Sequence, residues 1–124
     1  MDGPFVPFSK THPALARALA ERDYSEPTPV QAAVLADDTE GRDLLVSAQT
    51  GSGKTVAFGL AVAADVIGAA ETLGPAGRPL ALVVAPTREL ALQVERELGW
   101  LWEHTGARIT ACVGGMDPRA ERRR

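Results

Sequence analysis

The chain has 124 residues, a formal net charge of −3, 45% hydrophobic residues and a mean hydropathy of −0.04. This length and composition describe one globular domain or part of one, and they exclude a disordered or collagen-like chain. The single cysteine, Cys112, excludes an internal disulfide and a cysteine-based zinc site. No secretory leader and no bilayer-spanning apolar run is visible, so we expect a cytoplasmic protein without a membrane partner.

Two helices are predicted in the first third of the chain. Residues 1–12 contain two prolines and predict an irregular N-terminal segment. A proline at position 13 suits a first helical turn, and apolar residues at helical spacing extend that helix to about residue 22. Thr28-Pro29 repeats the pattern of a cap followed by proline and predicts a short helix through Val34.

Strands and helices alternate in the rest of the chain. Apolar runs predict strands at residues 43–47, 80–85 and 108–113, and apolar periodicity predicts helices at 53–67, at 88–103 and from 117 onward. This alternation predicts a parallel sheet with right-handed crossovers and therefore an α/β fold.

An eight-residue run between the first predicted strand and its helix indicates a phosphate-binding loop. It reads Ala48-Gln49-Thr50-Gly51-Ser52-Gly53-Lys54-Thr55. The two glycines allow backbone conformations in which consecutive N–H groups turn inward around phosphate oxygens. Lys54 supplies a positive charge for the outer phosphates, and the Thr55 hydroxyl is placed to ligate Mg²⁺. The alternative is a glycine-serine turn that only begins a helix.

Three further motifs surround this loop in a definite order. Residues 24–31 (Tyr-Ser-Glu-Pro-Thr-Pro-Val-Gln) precede it, residues 86–93 (Pro-Thr-Arg-Glu-Leu-Ala-Leu-Gln) follow the next predicted strand, and Gly114-Gly115 follows the third. In order and spacing the four motifs resemble those of the DEAD-box RNA helicases. The resemblance covers nearly the whole chain, from about Phe8 onward.

The resemblance implies a particular fold and domain organisation. The fold would be the RecA-like parallel sheet of phosphate-loop NTPases, with flanking helices. Residues 13–124 would form the N-terminal portion of the first RecA-like domain, which would make that domain incomplete. In family terms, residues 24–31 are the Q motif, 48–55 motif I and 86–93 motif Ia. The family usually has glycine before the aromatic residue of the Q motif, where this chain has Asp23.

The resemblance also implies how the chain would recognise ATP. The carboxamide of Gln31 offers both a donor and an acceptor, which matches the N6 and N7 atoms of adenine and would select ATP over GTP. In this family an upstream aromatic residue packs on the adenine, for which Phe8 is the candidate, with Tyr24 supporting the motif. The alternatives are a solvated Gln31 and a Phe8 that only covers the core.

RNA contacts are implied at two places in the C-terminal part. Pro86, Thr87 and Arg88 lie at a predicted helix N-terminus, where N–H groups and a guanidinium can hold a phosphate without reading sequence. Gly114 and Gly115 would let the backbone approach RNA closely. The alternatives are a simple N-cap at Thr87, a solvated Arg88 and an ordinary turn at the two glycines.

These residues together predict the ATP-binding part of an ATP-dependent RNA helicase that remodels or unwinds RNA. Its ligands would be ATP with Mg²⁺ and single-stranded or duplex RNA, and Lys54 and Thr55 are the candidate catalytic residues. The family's Asp-Glu-Ala-Asp segment is absent from the 124 residues, so we expect ATP binding without efficient turnover. A DNA helicase, another phosphate-loop NTPase and a non-catalytic nucleotide-binding or RNA-binding protein stay open as alternatives.

Overall fold

The computed structural model of the chain describes residues 11–113, except 37–38, 40, 50, 52 and 76. Five α-helices form within these residues: α1 (Pro13–Glu21), α2 (Pro29–Val34), α3 (Lys54–Ala61), α4 (Ala63–Val66) and α5 (Arg88–Leu101). None of the helices in this part of the chain has the length and apolar character needed to cross a membrane. Residues 1–10 of the irregular segment predicted at residues 1–12, and the helix predicted from residue 117, lie outside the described residues.

The first two helices begin at the prolines that predict their first turns, and both have a side-chain cap. At α1 the His12 ring accepts a hydrogen bond through Nδ1 from the Ala14 N–H at 3.0 Å. At α2 the Thr28 hydroxyl accepts from the Gln31 N–H at 3.4 Å, and Gln31 Oε1 accepts from the Thr28 N–H at 3.0 Å. This reciprocal pair is a capping box, which satisfies two backbone donors that the helix itself leaves without partners.

A turn in which Asp23 takes up a left-handed conformation follows α1. Its φ is 60°, and it is the non-glycine residue with positive φ among those described. Aspartate tolerates this region better than most residues, but glycine occupies it without a steric penalty. The residue type that the helicase family usually has at this position therefore matches the backbone that the turn requires.

We expect Asp23→Gly to raise the free energy of unfolding by roughly 0.5 kcal/mol, because the gain from relieved strain exceeds the added chain entropy. Urea unfolding measures the change. Asp65→Gly, the same replacement inside α4, is the control and should destabilise the chain because glycine disfavours helix. Equal destabilisation by both replacements would contradict the role assigned to the Asp23 backbone.

The helix predicted over residues 53–67 is divided into two. Helix α3 ends at Ala61, Val62 is its C-cap, and α4 begins at Ala63. The apolar stripe expected along this segment is nevertheless confirmed, because its four members are buried: Val56, Leu60, Ala63 and Ile67. The division therefore leaves the buried face of the segment continuous.

The main core lies between α1, α3 and the end of α5. These elements contribute six of its members in pairs: Leu15 and Leu19, Val56 and Leu60, Leu101 and Trp102. A smaller cluster joins α2 to α3 through Val30, Val34 and Ala57. Helix α3 thus takes part in both clusters, so the helix that follows the predicted phosphate loop is the centre of the structure.

The predicted sheet is not formed within the described residues, which contain no β-strand. Segments 43–47 and 80–85 are irregular, and their apolar side chains face outward, with Leu45 102%, Leu82 87% and Val84 84% exposed. A helix satisfies its N–H and C=O groups within its own segment, whereas a strand requires the backbone of a neighbour. The flanking helices of the predicted α/β fold are therefore present, but the strands between them are not paired here.

Both histidines of the chain attach the ends of α1 to other elements. His12 Nε2 donates to the Ala70 carbonyl at 2.6 Å, and His104 Nε2 donates to Glu21 Oε1 at 2.6 Å. Arg17, at 3.7 Å from Glu21, adds a second positive group beside the same carboxylate. The hydrogen bond from His104 lowers the pKa of Glu21 below its ordinary value of 4.5, although desolvation opposes this shift.

The lowered pKa predicts an acid-sensitive attachment of α1. Because the folded-state pKa of Glu21 lies below its unfolded value, the stabilisation is complete above the unfolded pKa and is lost as the pH falls through the folded pKa. In urea unfolding between about pH 6 and about pH 3, Glu21→Gln should lose less stability than the wild type. Glu26→Gln removes the same charge at another exposed position and should follow the wild type. Parallel curves for wild type and Glu21→Gln would contradict this attachment.

Candidate nucleotide and nucleic-acid site

The loop that precedes α3 has the backbone conformation that its glycines predict. Gly51 has a φ of 83° and Gly53 a φ of 88°, both in the left-handed region that residues with a Cβ rarely adopt. A Cβ at Gly53 would also collide with Nε2 of Gln31. Glycine is therefore required at position 53 by both the backbone conformation and the close approach of another side chain. Thr50 and Ser52 lie outside the described residues.

The N-terminus of α3 differs from those of α1, α2 and α5. Those three helices begin with a side-chain cap, whereas α3 begins at Lys54 after the N-cap Gly53, without a side-chain cap in the described part of the chain. The first N–H groups of a helix have no partner within the helix and carry its positive dipole end. An uncapped helix start beside two left-handed glycines therefore leaves donors available for an anion such as a phosphate.

Lys54 and Thr55 are the first two residues of α3. The Lys54 side chain is exposed and Thr55 is half-buried. Both therefore lie at the helix end whose N–H groups face the loop. An ammonium group and a hydroxyl at this end suit the charge of outer phosphates and the oxygen preference of Mg²⁺. Of the remaining loop residues, Ala48 is half-buried against the small α2–α3 cluster and Gln49 is exposed.

Gln31 is fully buried and bonded directly to this loop. Its Nε2 donates to the Gly53 carbonyl at 3.2 Å across a separation of 22 residues, while its Oε1 takes part in the α2 capping box. A solvated Gln31 is therefore excluded. One N–H and one oxygen lone pair of the carboxamide are not used by these two bonds, so the adenine contact stays a prediction. The structure brings the Q motif and the phosphate loop together through this side chain.

Tyr24 lies against the end of α5. Its ring centroid is 5.4 Å from that of Trp100 with an interplanar angle of 34°, and the Arg22 guanidinium lies 4.9 Å from the centroid of the same indole. Tyr24 thus fixes the connection between α1 and α2 by aromatic packing, which is consistent with a supporting role in the Q motif. Phe8, the candidate for adenine packing, lies outside the described residues.

Helix α5 begins at the residues predicted to contact RNA. The Thr87 hydroxyl accepts a hydrogen bond from the Leu90 N–H at 3.1 Å, which confirms the N-cap. Pro86 and Arg88 are exposed beside it. Capping leaves the other first-turn N–H groups of the helix available, so RNA contact here stays a prediction. Gly114 and Gly115 lie outside the described residues.

A cavity of about 400 Å³ lies between α3 and the residues that precede the loop. Its walls are mostly apolar, and Lys54 is part of its rim together with Arg42, Asp43 and Asp65. Neither Gly51, Gly53 nor Gln31 lines it. It is therefore a space beside the phosphate loop that the unpaired 43–47 segment leaves open, and it is distinct from the anion cradle.

Sequence patterns identified the loop but missed its attachment to Gln31. The Thr28-to-Gln31 spacing is a recognisable capping-box pattern that could have indicated one end of the carboxamide. The bond to Gly53 has no such local pattern, because it depends on how α2 packs against α3. A second long-range bond, from the Trp102 indole N–H to the Gly59 carbonyl at 3.3 Å, was missed for the same reason.

Two left-handed glycines that open directly onto a helix starting with lysine and threonine have the geometry of a phosphate-binding loop. The sequence model of the DEAD/DEAH box helicases matches residues 28–124, which is most of the chain. The chain therefore belongs to the DEAD/DEAH box helicase family.

Relatives in fungi, bacteria and plants agree with this membership. The chain is 42% identical over 106 residues to the ATP-dependent rRNA helicase RRP3 of Meyerozyma guilliermondii, covering 85% of this chain and 21% of that protein. It is 38% identical over 109 residues to the ATP-dependent RNA helicase RhlB of Pseudomonas aeruginosa, covering 85% of this chain and 27% of that protein. It is 42% identical over 106 residues to DEAD-box ATP-dependent RNA helicase 9 of Oryza sativa, covering 86% of this chain and 16% of that protein.

A solved structure shows the same fold. The crystal structure of the RNA helicase Prp28 from Chaetomium thermophilum bound to ADP superposes with a TM-score of 0.78 and 31% sequence identity. The superposition covers 98% of this chain and 30% of that chain. The chain thus spans less than a third of the length of the relatives and of the solved structure given above.

Proposed function

We propose that this chain is the ATP-binding part of an ATP-dependent RNA helicase, which uses ATP hydrolysis to remodel or unwind RNA. The observation that carries the proposal is the uncapped start of α3 behind Gly51 and Gly53, with Gln31 bonded to the same loop. This geometry combines an anion cradle with a buried carboxamide, which together suit a nucleotide with a specific base. The relatives are named as ATP-dependent RNA helicases, and the Prp28 structure holds ADP.

In the proposed complex each residue of the loop has a separate task. Backbone N–H groups from the loop and the first turn of α3 bind the phosphate oxygens, and Lys54 neutralises the outer phosphates. The Thr55 hydroxyl would hold Mg²⁺, which would supply positive charge to offset that of the phosphates. Gln31 retains one free N–H and one free lone pair, which would read the adenine edge.

RNA would bind at the start of α5. Pro86, Thr87 and Arg88 present an exposed helix N-terminus and a guanidinium, which suit contacts to the sugar-phosphate backbone. Such contacts do not distinguish bases, so binding would be independent of RNA sequence and would weaken as salt rises. Gly114 and Gly115 are proposed as a second backbone contact to the same RNA.

Calorimetry with the purified chain tests the nucleotide site. We expect Mg·ADP and Mg·ATP to bind, and Mg·GTP to bind at least tenfold more weakly, because guanine presents acceptors where adenine presents an N–H donor. Equal affinity for ATP and GTP would favour another phosphate-loop NTPase. Absence of any heat of binding from folded protein would reject the proposed function.

Anisotropy titrations with labelled oligonucleotides test the choice of polymer. In the presence of Mg·ATP we expect single-stranded RNA to bind more tightly than DNA of the same sequence, since the 2′-hydroxyl distinguishes the two. Tighter binding of DNA would favour the DNA helicase alternative. Arg88→Ala should weaken RNA binding without changing ATP affinity, and an unchanged RNA affinity would remove Arg88 from the proposed contact.

A further inference from the structure

Helix α3 and the end of α5 meet at a position where α3 has no side chain. Gly59 is buried, and a Cβ there would lie 2.7 Å from a methyl group of Leu101 and 2.9 Å from one of Leu98. The backbone of Gly59 is ordinary helix, so it is the space that requires glycine at this position. The two helices can approach this closely only because the side chain is missing.

The same close approach allows a buried hydrogen bond between the two elements. The Trp102 indole N–H donates to the Gly59 carbonyl at 3.3 Å, across a separation of 43 residues, and Trp102 is only 5% exposed. Gly59 is among the last four residues of α3, whose carbonyls have no partner within a helix that ends at Ala61. The Val62 N–H caps the Phe58 and Leu60 carbonyls at this end of α3, and Trp102, directly after α5, supplies the donor to the Gly59 carbonyl.

Helix α3 is consequently held at both ends by side-chain N–H groups from other elements. Gln31 donates to the Gly53 carbonyl at the N-terminal end, and Trp102 donates to the Gly59 carbonyl near the C-terminal end. Between them lies a single short helix, in which Lys54 and Gly59 are about 8 Å apart along the axis. A rigid segment of this length carries any shift or rotation at Gly59 directly to Lys54.

We infer that Trp102 is a positioning residue for the phosphate loop: its bond to Gly59 holds α3, and with it Lys54 and the first-turn N–H groups, in register for a nucleoside di- or triphosphate. The inference rests on the nucleotide binding proposed above. It predicts that a side chain outside every motif of the family tunes nucleotide affinity through the far end of the helix.

Trp100 provides a matched control two residues away. It is half-buried, and its ring contacts Tyr24 and Arg22. Replacing either tryptophan by phenylalanine removes the same indole N–H and the same volume. Only the replacement at position 102 removes the bond to the Gly59 carbonyl.

Calorimetry with Mg·ADP, performed where circular dichroism shows the variants to be equally folded, measures the effect. We expect Trp102→Phe to weaken binding by about three- to tenfold, since one neutral hydrogen bond of ordinary strength sets that range. Trp100→Phe should change it by less than about twofold. A purely structural loss would lower the number of binding sites rather than the affinity, so an unchanged dissociation constant for Trp102→Phe would overturn the inference.

Two further measurements test the role of Trp102 even if Trp102→Phe does not fold or the chain binds no nucleotide. If Trp102→Phe does not fold, 3-benzothienylalanine at position 102 keeps the shape of the indole and replaces its N–H by sulfur, and the same loss of affinity is expected. Hydrogen exchange without nucleotide should be faster in α3 of Trp102→Phe than of Trp100→Phe; equal rates would overturn the inference. A wild type that binds no nucleotide would instead reject the proposed function, while the exchange result would still decide whether Trp102 holds α3.

Discussion

Replacing Lys54 by alanine should weaken Mg·ATP binding by roughly a hundredfold or more, the largest effect expected from any single change in the loop. Lys54 is exposed at the first position of α3, beside N–H groups that have no side-chain cap in the described structure. Hydrogen bonds to a charged group contribute about 1.5–3 kcal/mol each, and an ammonium group between two phosphates makes more than one. Calorimetry with Mg·ATP, or competition against a fluorescent ADP analogue, measures the loss.

The control for Lys54→Ala is the removal of an equal charge elsewhere. Arg78 is exposed in the loop between α4 and α5, so Arg78→Ala changes the net charge identically without touching α3. It should bind Mg·ATP as the wild type does. Because Lys54 is exposed, neither change should lower the free energy of unfolding by more than about 0.5 kcal/mol. An Lys54→Ala variant with wild-type affinity would remove this loop from the proposed site.

Gln31→Glu should lower both stability and nucleotide affinity at neutral pH. The replacement keeps an oxygen that can accept from the Thr28 N–H, but it places a second oxygen against the Gly53 carbonyl, where Gln31 Nε2 now donates. An unpaired charge at a fully buried position costs about 3–5 kcal/mol. Burial will also raise the pKa of the introduced carboxyl, and its protonated form can again donate to Gly53.

This chemistry gives Gln31→Glu a distinctive pH dependence. Nucleotide affinity should be at least tenfold lower than that of the wild type near pH 8 and should recover as the introduced group becomes protonated. Thr28→Ala is the control, because it removes the hydroxyl of the capping box and leaves the bond from Gln31 to Gly53 in place. It should reduce stability by about 1 kcal/mol without a pH-dependent change in affinity. Identical behaviour of the two variants would show that Gln31 acts only through the stability of α2.

Local patterns predicted the helices of this protein well. Prolines and capping residues identified the starts of α1, α2 and α5, because an N-cap needs only a side chain and an N–H two or three residues away. The apolar stripe along the segment of α3 and α4 was also confirmed. The division at Val62 was not predicted, since a helix can end between two apolar residues without any change in periodicity.

The strands were predicted from the same kind of pattern with a different outcome. Segment 80–85 is an uninterrupted apolar run, yet it is exposed and irregular in the described structure. An apolar run indicates only that burial of the segment would be favourable in free energy. Pairing needs a neighbouring backbone at the correct distance and register, and no property of the segment itself supplies that neighbour.

The order of residues alone determined the phosphate loop and the helix caps. The left-handed conformation of Gly51 and Gly53 and the caps made by the Thr28 and Thr87 hydroxyls depend only on residues close in the sequence. Family membership follows from the motifs that contain these residues. Only the tertiary structure decided that the carbonyl of Gly53, just before α3, accepts from Gln31, and that the carbonyl of Gly59 in α3 accepts from Trp102. These two hydrogen bonds join residues that are 22 and 43 positions apart in the sequence. They depend on how the helices pack, which no local pattern encodes.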